Sequence, residues 1–361
     1  MNMKQVLALA LSSLLALSAA HAQTQVTPYQ PGLTPDGITY FLPRTYVHVT
    51  VTAVKRHYTP GEYCQYANRH LRLPHVTQTE TDEWTIEGVE LQTYGLANPA
   101  QAYTIKLNNK TAAPLVSLTP DGRLLTVNAE QDYTESQLSV AKVEQLDPAP
   151  LESANYKTQD ILLAGSTAKM AELTAAEIYD IRENRNLLTK GQADFMPKDG
   201  EQLRLMLANL DTQEKALLEL FTGTRTSERH TFVFDVCPEQ ESGQVTLFAF
   251  SKYLGMVDAD DPAGTPFVLN FQKLPSVKPA YVDNSAKQKK EVLDLRYVVP
   301  ANVELSVTSD SEVWAKQVVP MAQLGQIEHL GGDLFNKKFT THVQLSPVTG
   351  GIVNIEAARP E

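Results

Sequence analysis

The sequence predicts an α+β, β-rich fold: antiparallel, sandwich-like sheets with a central helical block. Three observations predict it. Period-2 runs of β-branched and aromatic residues recur through residues 23–128 and again from Arg229 to the end. Helical spacing with cap signals is concentrated in residues 166–224. Strands follow one another without alternating helices, so the sheets should be antiparallel rather than doubly wound. With 361 residues, 42% hydrophobic and 20% charged, at a mean hydropathy of -0.25, the chain has material for a sizeable core. That composition excludes wholesale disorder, a fibrous repeat and a polytopic membrane protein.

Residues 1–22 have the pattern of a secretory signal peptide. Lys4 supplies the positive region, residues 6–17 an apolar run, and Ala20-His21-Ala22 the small-x-small cleavage pattern. The run is shorter than the roughly 20 apolar residues that cross a bilayer. No cysteine follows the cleavage point, so a lipid anchor is not expected. The mature chain is expected to be exported, to the periplasm or the exterior, with no integral membrane segment. Its 31 basic and 42 acidic residues give a net charge of -11, or -12 once Lys4 leaves with the leader. Such a surface repels phosphate backbones, so nucleic acid is not an expected partner.

The elements follow in order. Residues 46–54 alternate, with Val47, Val49, Val51 and Ala53 on one face, and Tyr103, Ile105 and Leu107 repeat the pattern. Thr119-Pro120-Asp121-Gly122 joins residues 115–118 and 124–127 as a hairpin. Thr59-Pro60-Gly61-Glu62 has the form of a capping box, and Cys64, Ala67 and Leu71 behind it predict a helix covering a sheet face, stopped by Pro74. Residues 129–165 are polar and predict a linker or loop. In the helical block, Thr174-Ala-Ala-Glu177, Asp199 and Asp211-Thr-Gln-Glu214 each resemble a helix start, Gly223 a stop, and Pro197 a break between short helices. In residues 225–361, Phe232, Phe234 and Val236 predict a strand that residues 244–253 answer across a turn. Further strands fit 267–274, 293–299, 303–307 and 313–319. Residues 339–345 and 352–356 frame a terminal hairpin at Pro347-Val-Thr-Gly-Gly351. Leu-Thr-Pro-Asp-Gly occurs at both 33–37 and 118–122, which reads as turn chemistry rather than a domain repeat.

Reactive motifs are sparse. Ser166-Thr-Ala-Lys169 matches Ser-x-x-Lys, but its companion strings are absent. His48, His57, His70 and His75 lack the helix-face spacing of a zinc site. Asp258, Asp260 and Asp261 lack the closing glutamate of a calcium loop. Glu80, Asp82 and Glu83 read as a solvated patch unless a cleft opposes them. No metal, cofactor or catalytic residue is expected. Cys64 and Cys237 either pair across a very long loop or stay as small buried residues, the second being the expectation. Tyr63 and Tyr66 share a helix face near His70; these three are the candidate binding residues, with ordinary packing as the alternative.

Two stretches carry a family resemblance. Tyr40-Phe-Leu-Pro-Arg-Thr45 with Pro60-Gly-Glu-Tyr-Cys-Gln-Tyr-Ala67 and Asn68-Arg-His-Leu71 opens the chain. Gln323-Leu-Gly325 through Leu330, residues 335–339, and Pro347-Val-Thr-Gly-Gly351 close it. Together they resemble an uncharacterised exported Bacteroidota family, a domain of unknown function, over nearly the whole mature chain. The chain departs from that pattern at Arg72, where a glycine is expected. The resemblance implies a secreted or periplasmic protein and assigns no activity. The leading expectation is therefore a non-catalytic protein that binds a protein or peptide partner in the cell envelope. A hydrolase acting on envelope or dietary polymer is the alternative, and a glycan-binding module using the Tyr63 and Tyr66 face a third.

Overall fold

The computed structural model describes residues 25–28, 37–106, 115–129, 133–276, 295–330 and 340–358. The expected leader, Leu107, Leu293, residues 33–36 of the first Leu-Thr-Pro-Asp-Gly phrase and residues 335–339 of the closing motif lie outside them. The strands are β1 (Gln25–Pro28), β2 (Ile38–Thr59), β3 (Thr81–Lys106), β4 (Val116–Leu118), β5 (Leu124–Val127), β6 (Lys142–Gln145), β7 (Thr224–Val236), β8 (Ser242–Ser251), β9 (Gly255–Val257), β10 (Thr265–Lys273), β11 (Leu295–Ser309), β12 (Glu312–Leu330), β13 (Thr340–Leu345) and β14 (Ile352–Ala358). The helices are α1 (Ala67–Leu71), α2 (Gln159–Leu163), α3 (Thr167–Lys190) and α4 (Gly200–Thr222).

Three antiparallel sheets result, with strand orders β1-β3-β2-β7-β6, β12-β11-β10-β8-β9 and β14-β13-β5-β4. The first two face each other. Val47, Val49, Val51 and Ala53 of β2 pack on Phe248, Phe267, Leu269, Val303, Leu305 and Met321 of the second sheet. The long strands then run on into another layer. There Tyr40, Leu42, Ile105, Leu295 and Val298 pack on Leu124, Val127, Val343 and Leu345 of the third sheet. Where the layers meet, the ladders slip at Phe41/Pro43 and at Val299/Ala301. Pro43 and Pro300 occupy the slips because a residue without N–H cannot give a ladder bond. The third sheet mixes strands from both ends of the chain, and the first adds β6 and β7 to the N-terminal strands.

A polar joint closes the seam between the layers. Thr45, fully buried, donates its hydroxyl to the Val348 carbonyl at 2.9 Å and accepts from the Ala322 N–H at 3.0 Å. Gln323 accepts from the Thr45 N–H and donates to the carbonyls of Thr45 and Pro238. The Arg123 side chain, 5% exposed, pairs with Asp121 at 2.8 Å and donates to the Pro347 carbonyl at 2.6 Å. Burial would raise Asp121, but bonds from the Thr119 hydroxyl, the Arg123 guanidinium and the Ala97 N–H outweigh it and hold the carboxyl below its ordinary range. Gly350, at φ 69°, lies where a Cβ would stand 2.7 Å from Pro43.

Several expectations change. The long strand β3 takes residues 81–106, of which only the end was legible as strand. Residues 129–165 carry β6, which pairs with β7 at the edge of the first sheet, then a 3₁₀ turn (Ser153–Tyr156) and α2. β7 and β8 do not form a hairpin. They belong to facing sheets, and Phe234 stacks on Phe248 across the sandwich at 5.3 Å. The expected strands at 295–299 and 303–307 are one strand, β11, with a bulge at Pro300 between them.

The helices are two long ones rather than several short ones. The N-cap of α3 is Ser166, whose hydroxyl accepts the Lys169 N–H, so the Ser-x-x-Lys string is a helix start. Thr174 is instead buried and bonds the Met170 carbonyl. Asp199 does cap α4, but Asp211 and Glu214 lie inside it, held by Arg185 and Arg182 of α3. The segment after β2 is shorter than expected. Thr59 ends the strand, a 3₁₀ turn (Cys64–Tyr66) leads into α1, and no side chain caps it. It packs on α3 and α4 rather than on a sheet. Arg72 takes the left-handed backbone, φ 58°, that the expected glycine would have taken.

Candidate functional site

An aromatic column runs through the sandwich to its far end. Phe234, Phe248 and Phe267 stack in series, the last two rings 4.7 Å apart, and Trp314 follows Phe267 at 5.6 Å. A second column, Phe232, His230 and Trp84, arrives beside it, with Trp84 on His230 at 4.8 Å. The columns end at an open cleft of about 680 Å³ whose aromatic lining is Trp84, Phe250, Phe267 and Trp314. That is the size of a small-ligand or side-chain site. These are the chain's two tryptophans, from strands more than two hundred residues apart, and both are half-buried.

Local backbone features aim the rings. The β11–β12 ladder pairs Val307 with Ala315 and Thr308 with Val313, so Trp314 is the extra residue of a bulge. A bulge re-aims a side chain, here toward the cleft. Trp84 is fixed by its backbone N–H, which donates to the Lys252 carbonyl at 2.7 Å and ties β3 to the β8–β9 turn. Its indole lies on Gly255, where an added Cβ would stand 2.7 Å from the ring. The rim is polar. Asp310 and Glu312 line it at the β11–β12 turn, and Lys252 on the opposite side pairs with Glu83 at 3.3 Å. Asp310 holds a left-handed backbone, φ 51°.

The residues singled out from the sequence lie elsewhere. Tyr63 is fully buried, edge-on to Phe221 at 5.5 Å with the Lys157 ammonium 5.3 Å over its ring, so it packs α1 onto the helices and offers no face to a ligand. Tyr66 and His70 are half-buried, their rings 6.4 Å apart. The His70 carbonyl accepts from the Tyr179 hydroxyl. Cys64 and Cys237 are free thiols of intermediate burial, in the 3₁₀ turn before α1 and just after β7. Burial pushes the Cys237 thiol up from its ordinary value.

His48 and His57 lie against carboxylates. His57 Nδ1 meets Asp82 at 2.7 Å, which, with Lys55, holds that carboxyl below its ordinary range. His57 Nε2 meets both the Thr59 hydroxyl at 3.0 Å and Glu80 at 3.3 Å, so the hydroxyl does not have the imidazole to itself as a nucleophile would need. His48 bridges Asp235 and the Ser139 carbonyl. No cluster of three metal-ligating side chains occurs among the described residues. No helix among them is long and apolar enough to cross a membrane.

The tryptophans were the missed residues. Their only signal in the sequence is rarity, together with positions in strand-forming runs beside acids. No curated protein and no solved structure matches the chain. One family model does match, described as a domain of unknown function, DUF4831, and it spans residues 36–353, from the start of β2 into β14; the chain belongs to that family.

Proposed function

We propose that this is an exported, non-catalytic protein of the Bacteroidota cell envelope that binds a protein or peptide partner at the aromatic cleft. One observation carries the reading: both tryptophans of the chain meet at one open cleft, and Trp314 stands on a strand with a free edge. β12 pairs only with β11 among the described strands, whereas β3 at Trp84 is already tied to the Lys252 carbonyl. An extended peptide adding to β12 beside Trp314 would complete main-chain hydrogen bonds while its alternate side chains reach the cleft. Export rests on the pattern of residues 1–22.

The test is a crosslinked capture from the protein's own envelope with the tagged mature chain, run in parallel with Trp314→Ala. The expected result is one stoichiometric envelope protein with the native chain and its loss with the variant. N-terminal sequencing should find the exported chain beginning at Gln23. Turnover of any member of a glycan, peptidoglycan and peptide substrate panel would overturn the non-catalytic reading. A glycan ligand is the second reading, favoured by the same indole faces, which can stack on sugar rings.

A further inference from the structure

The charge on the rim narrows what the cleft can hold. On the reading that the cleft is the partner site, we infer that its occupant is a cationic side chain, a lysine or arginine of the partner. Aromatic rings attract a cation through the ring quadrupole, and four of them line this cleft. Asp310 and Glu312 stand beside Trp314, and neither has an ion-pair partner among the described residues. Lys252, the one ammonium among the described lining residues, is solvent-exposed, pairs with Glu83 at 3.3 Å and lies 5.6 Å over the Tyr253 ring. An anionic occupant would face two uncompensated carboxylates. A cation meets rings at the base and carboxylates at the mouth, and the net charge of the mature chain draws it in from solution.

Because both tryptophans line the cleft, their intrinsic fluorescence reports its occupancy. The mature chain is titrated at low salt with capped pentapeptides Gly-Gly-X-Gly-Gly, X being Lys, Arg, Met or Glu, and with a neutral N-acetylglucosamine tetramer. The Lys and Arg peptides are expected to give a saturable change that weakens with added salt, with the Met and Glu peptides at least about fivefold weaker. The double variant Asp310→Asn, Glu312→Gln should weaken the cationic peptides roughly five- to tenfold and leave the Met peptide unchanged. Asparagine tolerates the left-handed turn, and an unchanged melting temperature verifies the fold. An equal response to the Met peptide or the tetrasaccharide overturns the cationic occupant. So does silence toward Lys and Arg peptides when Trp314→Ala still abolishes envelope capture; in both cases the partner site stands. Capture that survives Trp314→Ala overturns the partner site, and the cationic occupant with it.

Discussion

The two ends of the sandwich solve opposite problems. At the joint near Pro43 and Pro300, Thr45, Gln323, Arg123 and the carbonyls of residues 347 and 348 use one another's hydrogen bonds. At the cleft, both indoles are half-buried and two carboxylates have no ionic partner among the described residues. Three of the stretches that carry the family resemblance, residues 40–45, 323–325 and 347–351, converge on the joint, while residues 60–71 pack on α3 and α4. The cleft residues lie outside all of them. Part of what makes this chain recognisable is therefore how its layers are fastened, and the open cleft lies elsewhere.

The comparison can be broken hardest at the joint. Arg123→Ala leaves the Pro347 carbonyl and Asp121 without their buried donor. Asp121 is about a third exposed and keeps the Thr119 and Ala97 bonds, so the loss expected in denaturant unfolding is about 1–3 kcal/mol, that of hydrogen bonds left unmade at a buried site. A loss below about 1 kcal/mol, the level of an exposed pair, would mean that water replaces the Arg123 bonds and that they do not fasten the layers.

A smaller effect is expected from acid. Asp121 is held below its ordinary range in the folded chain, so its contribution is complete above the unfolded carboxylate value, about 4, and disappears as pH falls through the lower folded value. Melting temperature measured across that window should therefore fall more steeply for the native chain than for Asp121→Asn. Identical acid limbs would remove Asp121 from the fastening.

The smallest effect, of opposite sign, belongs to the cleft. Asp310→Gly relaxes the left-handed turn and should stabilise the chain by about 0.5–1 kcal/mol, while weakening cationic peptides. Stabilisation with unchanged binding would sharpen the contrast by confining recognition to the rings and Glu312.

Local patterns in the sequence were faithful where local physics decides. The Val47 to Ala53 face, the Thr119-Pro120-Asp121-Gly122 hairpin with Gly122 at φ 86°, and the terminal hairpin all occur as read. The Asp199 cap and the Gly223 stop do too. Cap-like strings misled inside the helices because Glu214 and Asp211 are used by α3 across the pair rather than by their own first turn. β3 was hidden because residues 87–100 mix glycine, proline and acids, and pairing along nearly all of β2 overrides that weak propensity. The tyrosine face failed for a similar reason. Periodicity places Tyr63 and Tyr66 together but cannot say that Phe221, more than 150 residues away, covers one of them.

By itself the sequence determined the β-rich class, the position of the helical block, the main turns and the acidic balance, because propensity, alternation and charge are properties of neighbouring residues. Tertiary structure alone decided that β7 and β8 face each other instead of pairing, that three of the recognisable motifs meet at one joint, and that Trp84 and Trp314 share a cleft. Each of those depends on contacts between strands far apart in the chain, which register and sheet packing fix and no local pattern encodes.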